Sequence, residues 1–489
     1  MSLINMLEDI IQTRIQKIQE LKKQGIDPFP EKVKRSFEIS KALKDFSILS
    51  KKKKKIDLAG RIVAIRFHKN IIFVDLKDST AKIQLIFKED ILSSQKLEFF
   101  NKYFDLGDFL GVKGVLIKSQ TGEKSLLVYD YQMLAKSLRP IPKEWYGLED
   151  AEERFRKRYL DLLVNDEVKQ RFYLRSKIIS LIREYFNSLG YLEVETPILQ
   201  AVYGGANAKP FKSYLDSLSL PVYLRIAPEL YLKRLLIGGM DKIYEIGKCF
   251  RNEGIDREHN PEFTMLELYS AYENREYLMK LLKGLFKFLE KNLKKEAPVL
   301  SKLVKEEWKI ISLETFLKSK TGLTLKDSEE DWRQKAQELK IEIQGEESKE
   351  KIMDLVFKNF RGEIKKPTFI IDQPVILSPL AKKKSDNPDL TSRFQLIING
   401  WELVNGFSEL NDPLDQRERF DRQEQNRKKG DLEAHPRDTD FLLALEYGMP
   451  PAAGLGIGID RLVAILTEAP SLKEVILFPF MKPKNEEEN

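Results

Sequence analysis

Two apolar segments of the sequence, "KIYEIGKCF" at 242–250 and "FTMLELYSAY" at 263–272, flank a loop that is crowded with charge. Both segments read as strands, and a connection without a helical pattern returns the chain antiparallel, because parallel strands need a long crossover. Further strands, "VYLRI" at 222–226 and "PTFIIDQP" at 367–374, lie on either side in sequence. The order predicts an α+β protein built on an antiparallel sheet and excludes a doubly wound parallel one.

A different pattern occupies residues 56–138, where short segments alternate apolar and polar residues and are separated by glycine or charged turns. Five such strands in about 80 residues predict a small closed all-β barrel of the oligonucleotide-binding (OB) type. The pattern alone leaves open whether the barrel binds RNA. Aromatic and basic residues, which stack bases and hold phosphates, are interleaved along it: Phe67, Phe73, Arg61, Arg66, Lys69 and Lys77.

These patterns predict four regions along the chain. An N-terminal amphipathic helix and a basic linker occupy 1–55, and the barrel occupies 56–140. A proline-containing linker at 141–165 precedes the α+β domain at 166–489, inside which 275–365 reads as a lysine- and glutamate-rich helical insertion. We interpret the N-terminal helix as packing on its neighbour; contact with RNA phosphates is the alternative.

Charge and cysteine content limit the function classes. The 489 residues include 83 basic and 76 acidic ones, and the net charge of +7 permits an anionic partner without requiring one. The single cysteine, Cys249, excludes a disulfide framework and fits a reducing cytoplasm. The N-terminus lacks the pattern of a signal peptide, and no apolar run of about eighteen residues predicts a membrane span.

Common catalytic motifs are missing from the sequence: it contains no GxxxxGK[ST], GxSxG or HExxH, and its three histidines are far apart. An enzyme of this composition would work with carboxylates, arginines and Mg²⁺. Glu402 and Glu409, in "WELVNGFSELND", are candidate metal ligands that could share divalent cations with a triphosphate. A plain surface pair is the alternative.

The stretch "GLGIGIDR" at 454–461 alternates glycine with apolar residues, so a ligand could approach the backbone closely. Arg461 follows at a strand-to-helix junction, where a guanidinium can hold a phosphate. A glycine strand needed only for packing is the alternative.

The charged loop "FRNEGIDREHNPEF" supplies the other candidates. Residues two apart in a strand share a face. Arg251 and Glu253 are therefore expected to face the same way, and so are Glu267 and Tyr269. Arginine for an anionic centre, aromatic rings for a flat base and glutamates for amines predict a site for an amino acid and a nucleotide.

Together, "FRNEGIDREHNPEFTMLELY", "GLGIGIDR" and "YLEVETPIL" at 191–199 resemble the signature motifs of class II aminoacyl-tRNA synthetases. "GGANAKPF" at 204–211, "LRIAPELYLKRLLIGG" at 224–239 and "NGFSELNDP" at 405–413 are similar to the lysyl-tRNA synthetases among them. The resemblance covers about 56–483 and is weakest in 275–365. It implies a cytoplasmic homodimer, formed partly through the segment around Pro197, whose partners are L-lysine, ATP and tRNA(Lys).

The resemblance also implies roles for individual residues. Arg251, Glu253 and Arg461 would be catalytic, and ATP would be bound by these residues with His259, Asn260, Phe263 and Glu402. Lysine would be bound by Gly205, Ala206, Glu229, Arg251, Glu267, Tyr269 and Asn411. Glu402 and Glu409 would hold Mg²⁺, up to three ions per subunit. In the barrel, Phe73 would stack on an anticodon base while Arg66 and Gln84 read base edges.

Two positions depart from the family pattern. Bacterial relatives commonly carry arginine immediately before the loop histidine, where this chain has Glu258, with Arg257 one place earlier. Asp130 is placed where many relatives have a glutamate in the barrel. Rival readings are a paralogue that attaches lysine to a translation factor, an aspartate or asparagine enzyme, and a non-catalytic RNA-binding protein. The barrel argues against the first, "APELYLKRLLIGG" against the second, and the intact charged residues against the third.

Overall fold

The computed structural model describes residues 3–142, 150–343, 347–428 and 436–483. The chain divides into two compact units, Met1–Glu149 and Asp150–Asn489. Part of the predicted linker, residues 143–149, lies outside the described residues, and the remainder of it is largely helical. Among the described helices, none is both long and apolar enough to cross a membrane.

The first unit is a closed five-stranded barrel with strand order β1-β2-β3-β5-β4. This confirms the predicted OB-type fold. Its elements are α1 (Leu3–Lys23), α2 (Ile39–Lys44), α3 (Phe46–Lys51), β1 (Lys55–His68), β2 (Ile71–Lys77), β3 (Lys82–Lys88), α4 (Glu89–Leu92), α5 (Ser94–Tyr103), β4 (Phe109–Lys118) and β5 (Lys124–Ala135).

Alternation along the strands separates the inside of the barrel from its outside. In β2, Ile72, Val74 and Leu76 are buried, whereas the residues between them face outward. Helix α1 is fastened to this unit by Arg14, whose guanidinium donates to the carbonyl oxygens of Ser137, at 2.8 Å, and Leu106, at 3.2 Å. The N-terminal helix therefore packs on its neighbour, which is the interpretation preferred from the sequence.

The second unit contains the larger sheet and most of the helices. Its elements are α6 (Ala151–Arg156), α7 (Arg158–Val164), α8 (Asp166–Ser188), β6 (Leu192–Glu193), β7 (Leu199–Gln200), β8 (Lys212–Leu215), β9 (Leu220–Leu224), α9 (Glu229–Ile237), β10 (Lys242–Phe250), β11 (Glu262–Ala271), α10 (Arg275–Leu293), α11 (Val299–Lys305), β12 (Lys309–Ser312), α12 (Leu313–Thr321), α13 (Glu329–Glu338), α14 (Lys349–Arg361), β13 (Thr368–Ile371), β14 (Arg393–Ile398), β15 (Trp401–Ser408), α15 (Pro413–Lys428), α16 (Thr439–Glu446), β16 (Ala452–Gly458) and α17 (Ile459–Leu466).

Eight strands form the main sheet in the order β12-β13-β14-β15-β16-β11-β10-β6. The strands from β13 to β10 pair antiparallel, and only the outermost pairs, β12 with β13 and β10 with β6, are parallel. The predicted antiparallel α+β architecture is confirmed. A separate small sheet has the order β7-β9-β8.

One face of the main sheet is apolar and covered by helices. Tyr244, Leu268, Leu455 and Phe394 lie in one row across β10, β11, β16 and β14, and all are buried. Helices α8, α10 and α17 pack against this face. Burying an aliphatic or aromatic side chain contributes about 1.5–3 kcal/mol, so this layer holds the sheet in place. The opposite face is left for polar side chains.

The segment predicted as a helical insertion, 275–365, contains α10 to α14 and one strand, β12, at the edge of the main sheet. Helices α12, α13 and α14 surround a small core of their own around Trp332, which is fully buried. Because β12 pairs with β13, the segment continues the sheet and is not a purely helical appendage.

Candidate active site

The polar face of the main sheet carries the candidate residues in registered rows. Glu245, Glu267, Gly456, Asn405 and Gln395 lie opposite one another on five adjacent strands. Directly opposed residues point to the same side of a sheet, so two carboxylates and two amides share this face. On β16 the row passes through Gly456, where there is no side chain above the backbone.

The glycines of β16 are not equivalent. A methyl group on Gly454 would collide with the ring of Tyr269 and the carboxylate of Glu409. On Gly456 it would meet nothing closer than 3.6 Å, and on Gly458 nothing closer than 3.5 Å, which are ordinary contacts. The fold itself requires only Gly454. Without side chains at Gly456 and Gly458, a ligand can approach the backbone of β16 closely.

A buried lysine that the sequence reading missed lies at the Glu409 end of this face. Nζ of Lys233 is 2.6 Å from Glu229 Oε1 and 2.5 Å from Glu409 Oε2, and its side chain is fully buried. Burial lowers the pKa of Lys233, but the two carboxylates outweigh burial and leave the pKa above its ordinary value. The spacing of Glu229 and Lys233, four apart on α9, is the signal that could have found the pair.

Carboxyl groups outnumber ammonium groups in this pocket. Glu267 is buried and accepts a hydrogen bond from the Tyr269 hydroxyl at 3.0 Å. Burial, and then the charge of Glu229, raise the pKa of Glu267 well above its ordinary value. Burial also raises the pKa of Glu229, and raises that of Glu409 to about 8. Three buried carboxyl groups with one ammonium favour the binding of a further cation.

Backbone geometry fixes one wall of the same pocket. Gly205 has φ +89°, and a Cβ there would lie 2.9 Å from Cβ of Glu229. Both facts require glycine, since any side chain would displace Glu229. Ala206 is partly buried beside it. Asn411 is held differently, because its amide donates to the carbonyl of Met449 at 3.2 Å and accepts from Lys382 at 2.6 Å.

The loop after β10 presents the arginine of the hairpin. Arg251 follows the last residue of β10, and its guanidinium lies 5.1 Å from the centre of the Phe263 ring on β11. Glu253 is exposed two residues further on. The ring nitrogen Nδ1 of His259 lies 2.8 Å from Asp256 Oδ2, which holds the imidazole at the loop tip. The guanidinium and the imidazole thus lie in one loop, and the aromatic ring lies on the strand that follows it.

Asn260 sits under this loop and is only 8% exposed. Its amide nitrogen donates to the carbonyl of Glu262 at 2.5 Å, whereas its Oδ1 has no hydrogen-bond partner among the described residues. A buried carbonyl oxygen without a donor is uncommon in proteins, so Asn260 Oδ1 is available to a donor group of a ligand.

The other end of β15 carries Glu402 among arginines. Arg461 Nη1 donates to the Glu402 carbonyl at 2.7 Å, and Arg361 Nη1 lies 3.5 Å from Glu402 Oε2. Burial raises the pKa of Glu402, but Arg461, Arg361 and Arg393 together hold it below its ordinary value. Glu402 is therefore ionised at neutral pH. A break in strand register at Leu403 turns Glu402 to the face that Asn405 occupies.

The barrel brings its predicted residues to one outer face. Arg66 on β1 lies opposite Phe73 on β2, and Gln84 on β3 lies opposite Asp75. Arg66 Nη2 donates to Asp75 at 2.7 Å, and Gln84 Nε2 donates to Glu123 at 2.9 Å. The three predicted residues therefore share one outer face, with Glu123 beside them.

Asp130 is not part of that face, because its carboxylate pairs with Lys96 of α5 at 2.7 Å. The carboxylate that the structure puts beside Gln84 is that of Glu123.

Residues 150–482 match the family described as tRNA synthetases class II (D, K and N), and residues 56–141 match the OB-fold nucleic acid binding domain. The chain belongs to the class II tRNA synthetases. The lysine–tRNA ligase of Thermotoga maritima is 45% identical over 99% of this chain and 98% of its own length. That of Carboxydothermus hydrogenoformans is 44% identical over 98% of this chain and 99% of its own. That of Aquifex aeolicus is 49% identical over 88% of this chain and 73% of its own.

The two candidate metal ligands of this class II synthetase, Glu402 and Glu409, lie at different places on the sheet. Glu402 pairs with Ile397, whereas Glu409 bridges Ala381 at the far end of β15. Seven residues of extended chain span roughly 23 Å, so the structure does not bring the two glutamates together. In the described part of the chain, no three His, Cys, Asp or Glu side chains gather around a common point. Mg²⁺ bound with a nucleotide needs only one or two carboxylates, which the ionised Glu402 fits.

Proposed function

We propose that this class II synthetase is a lysine–tRNA ligase, which activates L-lysine with ATP and transfers the lysyl group to the 3′ end of tRNA(Lys), releasing AMP and pyrophosphate. The observation that carries the proposal is the pocket of Glu229, Glu267 and Glu409, where Lys233 balances only one of three buried carboxylates. A ligand with two ammonium groups supplies the missing charge. Neutral or acidic amino acids would leave buried carboxylates unpaired, which is strongly unfavourable.

Within the pocket, Glu267 receives the α-ammonium of lysine, and Glu229 with Tyr269 receives the ε-ammonium. Glu409 joins this second group. Its Oε1 has no hydrogen-bond partner among the described residues, and Gly454 brings it beside the Tyr269 ring. Gly205 and Ala206 line the wall, and Asn411 lies near the carboxylate end.

ATP lies across the glycine strand towards Glu402. Phe263 stacks on the adenine, Asn260 and His259 orient it, and Glu253 positions the nucleotide from the loop. Arg251 holds both the α-phosphate and the lysine carboxylate, and Arg461 holds the γ-phosphate. Arg251 is close to the Phe263 ring already, so the two groups reach the same nucleotide.

The first step forms a bond between a lysine carboxylate oxygen and the α-phosphorus, and pyrophosphate leaves. In the second step the terminal ribose hydroxyl of tRNA attacks the lysyl carbonyl, and AMP leaves. Neither step needs a nucleophile from the protein. The chain contributes orientation of two bound reactants and cationic groups where negative charge accumulates.

Glu402 is the residue that would hold Mg²⁺ next to the triphosphate. The ion would supply charge neutralisation to the phosphate oxygens when it is bound. Glu409 is the weaker candidate for such an ion, because Lys233 already occupies its carboxylate. Up to three ions per subunit remain the proposal from the family resemblance.

The barrel binds the anticodon of tRNA(Lys), with Phe73 stacking on a base and Arg66 and Gln84 reading base edges. Exposed aromatic rings stack on bases of any sequence, and hydrogen-bonding groups beside them select the base. Asp75 and Glu123 hold the two polar side chains in place.

The enzyme acts as a cytoplasmic homodimer. Support comes from the segment around Pro197, which exposes large apolar side chains that water does not favour: Leu192, Ile198, Leu199, Tyr214 and Leu218. Size-exclusion chromatography with light scattering tests this, because a monomer at micromolar concentration would contradict it.

ATP–pyrophosphate exchange with each of the twenty amino acids tests the activity. We expect exchange with lysine alone, followed by transfer to tRNA(Lys). Exchange with aspartate or asparagine in place of lysine would redirect the assignment within the family. Exchange with no amino acid would refute it.

A further inference from the structure

Arg361 reaches the nucleotide end of the site from a segment to which no role is assigned. It is the last residue of α14, and its side chain is only 14% exposed. Nε donates to the Gly400 carbonyl at 3.0 Å, and Nη2 donates to the carboxylate of Glu258 in the charged loop. Nη1 lies 3.5 Å from Glu402 Oε2, the long limit of a hydrogen bond.

Arg461 donates hydrogen bonds to the backbone carbonyls of the same two residues, Glu402 and Glu258. Its Nη1 donates to the Glu402 carbonyl at 2.7 Å and its Nη2 to the Glu258 carbonyl at 3.4 Å. Two guanidiniums and two carboxylates therefore form one partly buried group without net charge. Among the donors of Arg361, Nη1 is the least committed, and it faces Glu402.

We propose that Arg361 binds the terminal phosphates of ATP as a second guanidinium beside Arg461, an assignment that rests on the proposed function. The loop presents the carboxylate of Glu258 to Arg361, so it adds negative charge at the end of the site that we assign to the triphosphate. A guanidinium has five donors in a plane. Arg361 can keep Glu258 on one edge and present Nη1 to a phosphate oxygen. The end of α14 thereby supplies a second guanidinium to the triphosphate, beside Arg461.

A purely structural role is the competing explanation. A cation at a helix C-terminus is favourable, and the bond to Gly400 ties α14 to the turn before β15. A purely structural contact of this kind would not depend on which nucleotide is bound. A phosphate ligand would discriminate, because AMP lacks the β- and γ-phosphates whereas ATP and pyrophosphate carry them.

Calorimetric binding of ATP, pyrophosphate and AMP to Arg361→Ala and Arg361→Lys, with exchange kinetics alongside, tests the proposal. For Arg361→Ala we expect ATP and pyrophosphate to bind about tenfold more weakly, the loss of one charge-assisted hydrogen bond. AMP binding and the KM for lysine stay unchanged. Arg361→Lys lies between, since it keeps the charge but not the planar fork. Arg333→Ala, an arginine of α13 bonded to Glu329 and Glu347, is the matched control and alters none of these values.

A charge-reversed pair tests the same point in another way. Arg361→Glu alone places a third carboxylate beside Glu258 and Glu402, and ATP binding is lost. Adding Glu258→Arg places a guanidinium on the loop side of the same ion pair and restores most of the binding. Equal weakening of AMP and ATP, no weakening of either, or no restoration in the double variant would overturn the role of Arg361. Failure of the proposed function would look different, since the unaltered enzyme would then show no lysine-dependent exchange while the nucleotide affinities could still be compared.

Discussion

Lys233 Nζ lies 2.6 Å from Glu229 Oε1 in a pocket where both side chains are buried. The pair connects the helix that begins with Glu229 to Glu409 on the sheet, so one ammonium of the protein already neutralises part of the pocket that we assign to lysine. The free enzyme therefore already contains one buried ammonium, that of Lys233. In our assignment, the ammonium groups of bound lysine are added to it and do not replace it.

Removing that cation should destabilise the catalytic unit. Lys233→Ala leaves two carboxylates buried without their partner, which costs about 3–5 kcal/mol. Chemical denaturation monitored on the unfolding transition of this unit measures the loss. Lys169→Ala, which breaks a partly exposed pair with Asp166, is the control and should cost less than about 1 kcal/mol. A loss from Lys233→Ala no larger than the control's would show that Lys233 is not a required partner.

The raised pKa of Glu267 predicts how lysine binding depends on pH. With a folded pKa above the ordinary one, the native state holds a proton that the unfolded state has released, so this group makes stability fall as pH rises from the ordinary value through the raised one. The α-ammonium of lysine favours the ionised carboxylate and reverses this trend. The thermal shift caused by lysine should grow as pH rises above the ordinary carboxyl range.

Glu267→Gln provides the control for that pH profile. The glutamine cannot titrate, so the lysine-induced shift should be smaller and should depend less on pH, with the remaining dependence coming from Glu409, whose pKa is about 8. Calorimetry in two buffers of different ionisation enthalpy should show proton release on lysine binding to the unaltered enzyme. Proton uptake, or an unchanged profile in the variant, would contradict the assignment of Glu267.

The extent to which sequence predicted this site depended on distance along the chain. The relation between Glu267 and Tyr269 follows from strand parity, and the structure joins them by a hydrogen bond. Strict alternation along β15 would place Glu402 on the face opposite to Asn405. The register break at Leu403 puts both on the same face. Arg361 and Glu258 are 103 residues apart, and no local pattern connects them. Contacts of that kind depend on how the sheet and α14 pack, which a sequence pattern does not contain.

Two neighbouring glycines of β16 should respond in opposite ways to the same substitution. Gly454→Ala places a methyl group against Tyr269 and Glu409, so it should destabilise the unit and weaken lysine binding. Gly456→Ala meets no atom within 3.6 Å and should fold normally. Its methyl group occupies the space assigned to ATP, so the KM for ATP should rise about tenfold or more while thermal stability is unchanged. Normal ATP binding by folded Gly456→Ala would remove the nucleotide from the glycine strand.

The barrel should influence tRNA charging without influencing amino acid activation. Phe73→Ala removes the ring that stacks on an anticodon base, a contact of about 1–3 kcal/mol, so the KM for tRNA(Lys) should rise roughly 5- to 150-fold. Exchange of ATP and pyrophosphate proceeds without tRNA and should keep its rate, which makes it the internal control. Glu123→Gln should have a smaller effect in the same direction, because it weakens the bond that positions Gln84. Equal losses in charging and exchange would mean that Phe73 supports the fold of the enzyme and not its contact with RNA.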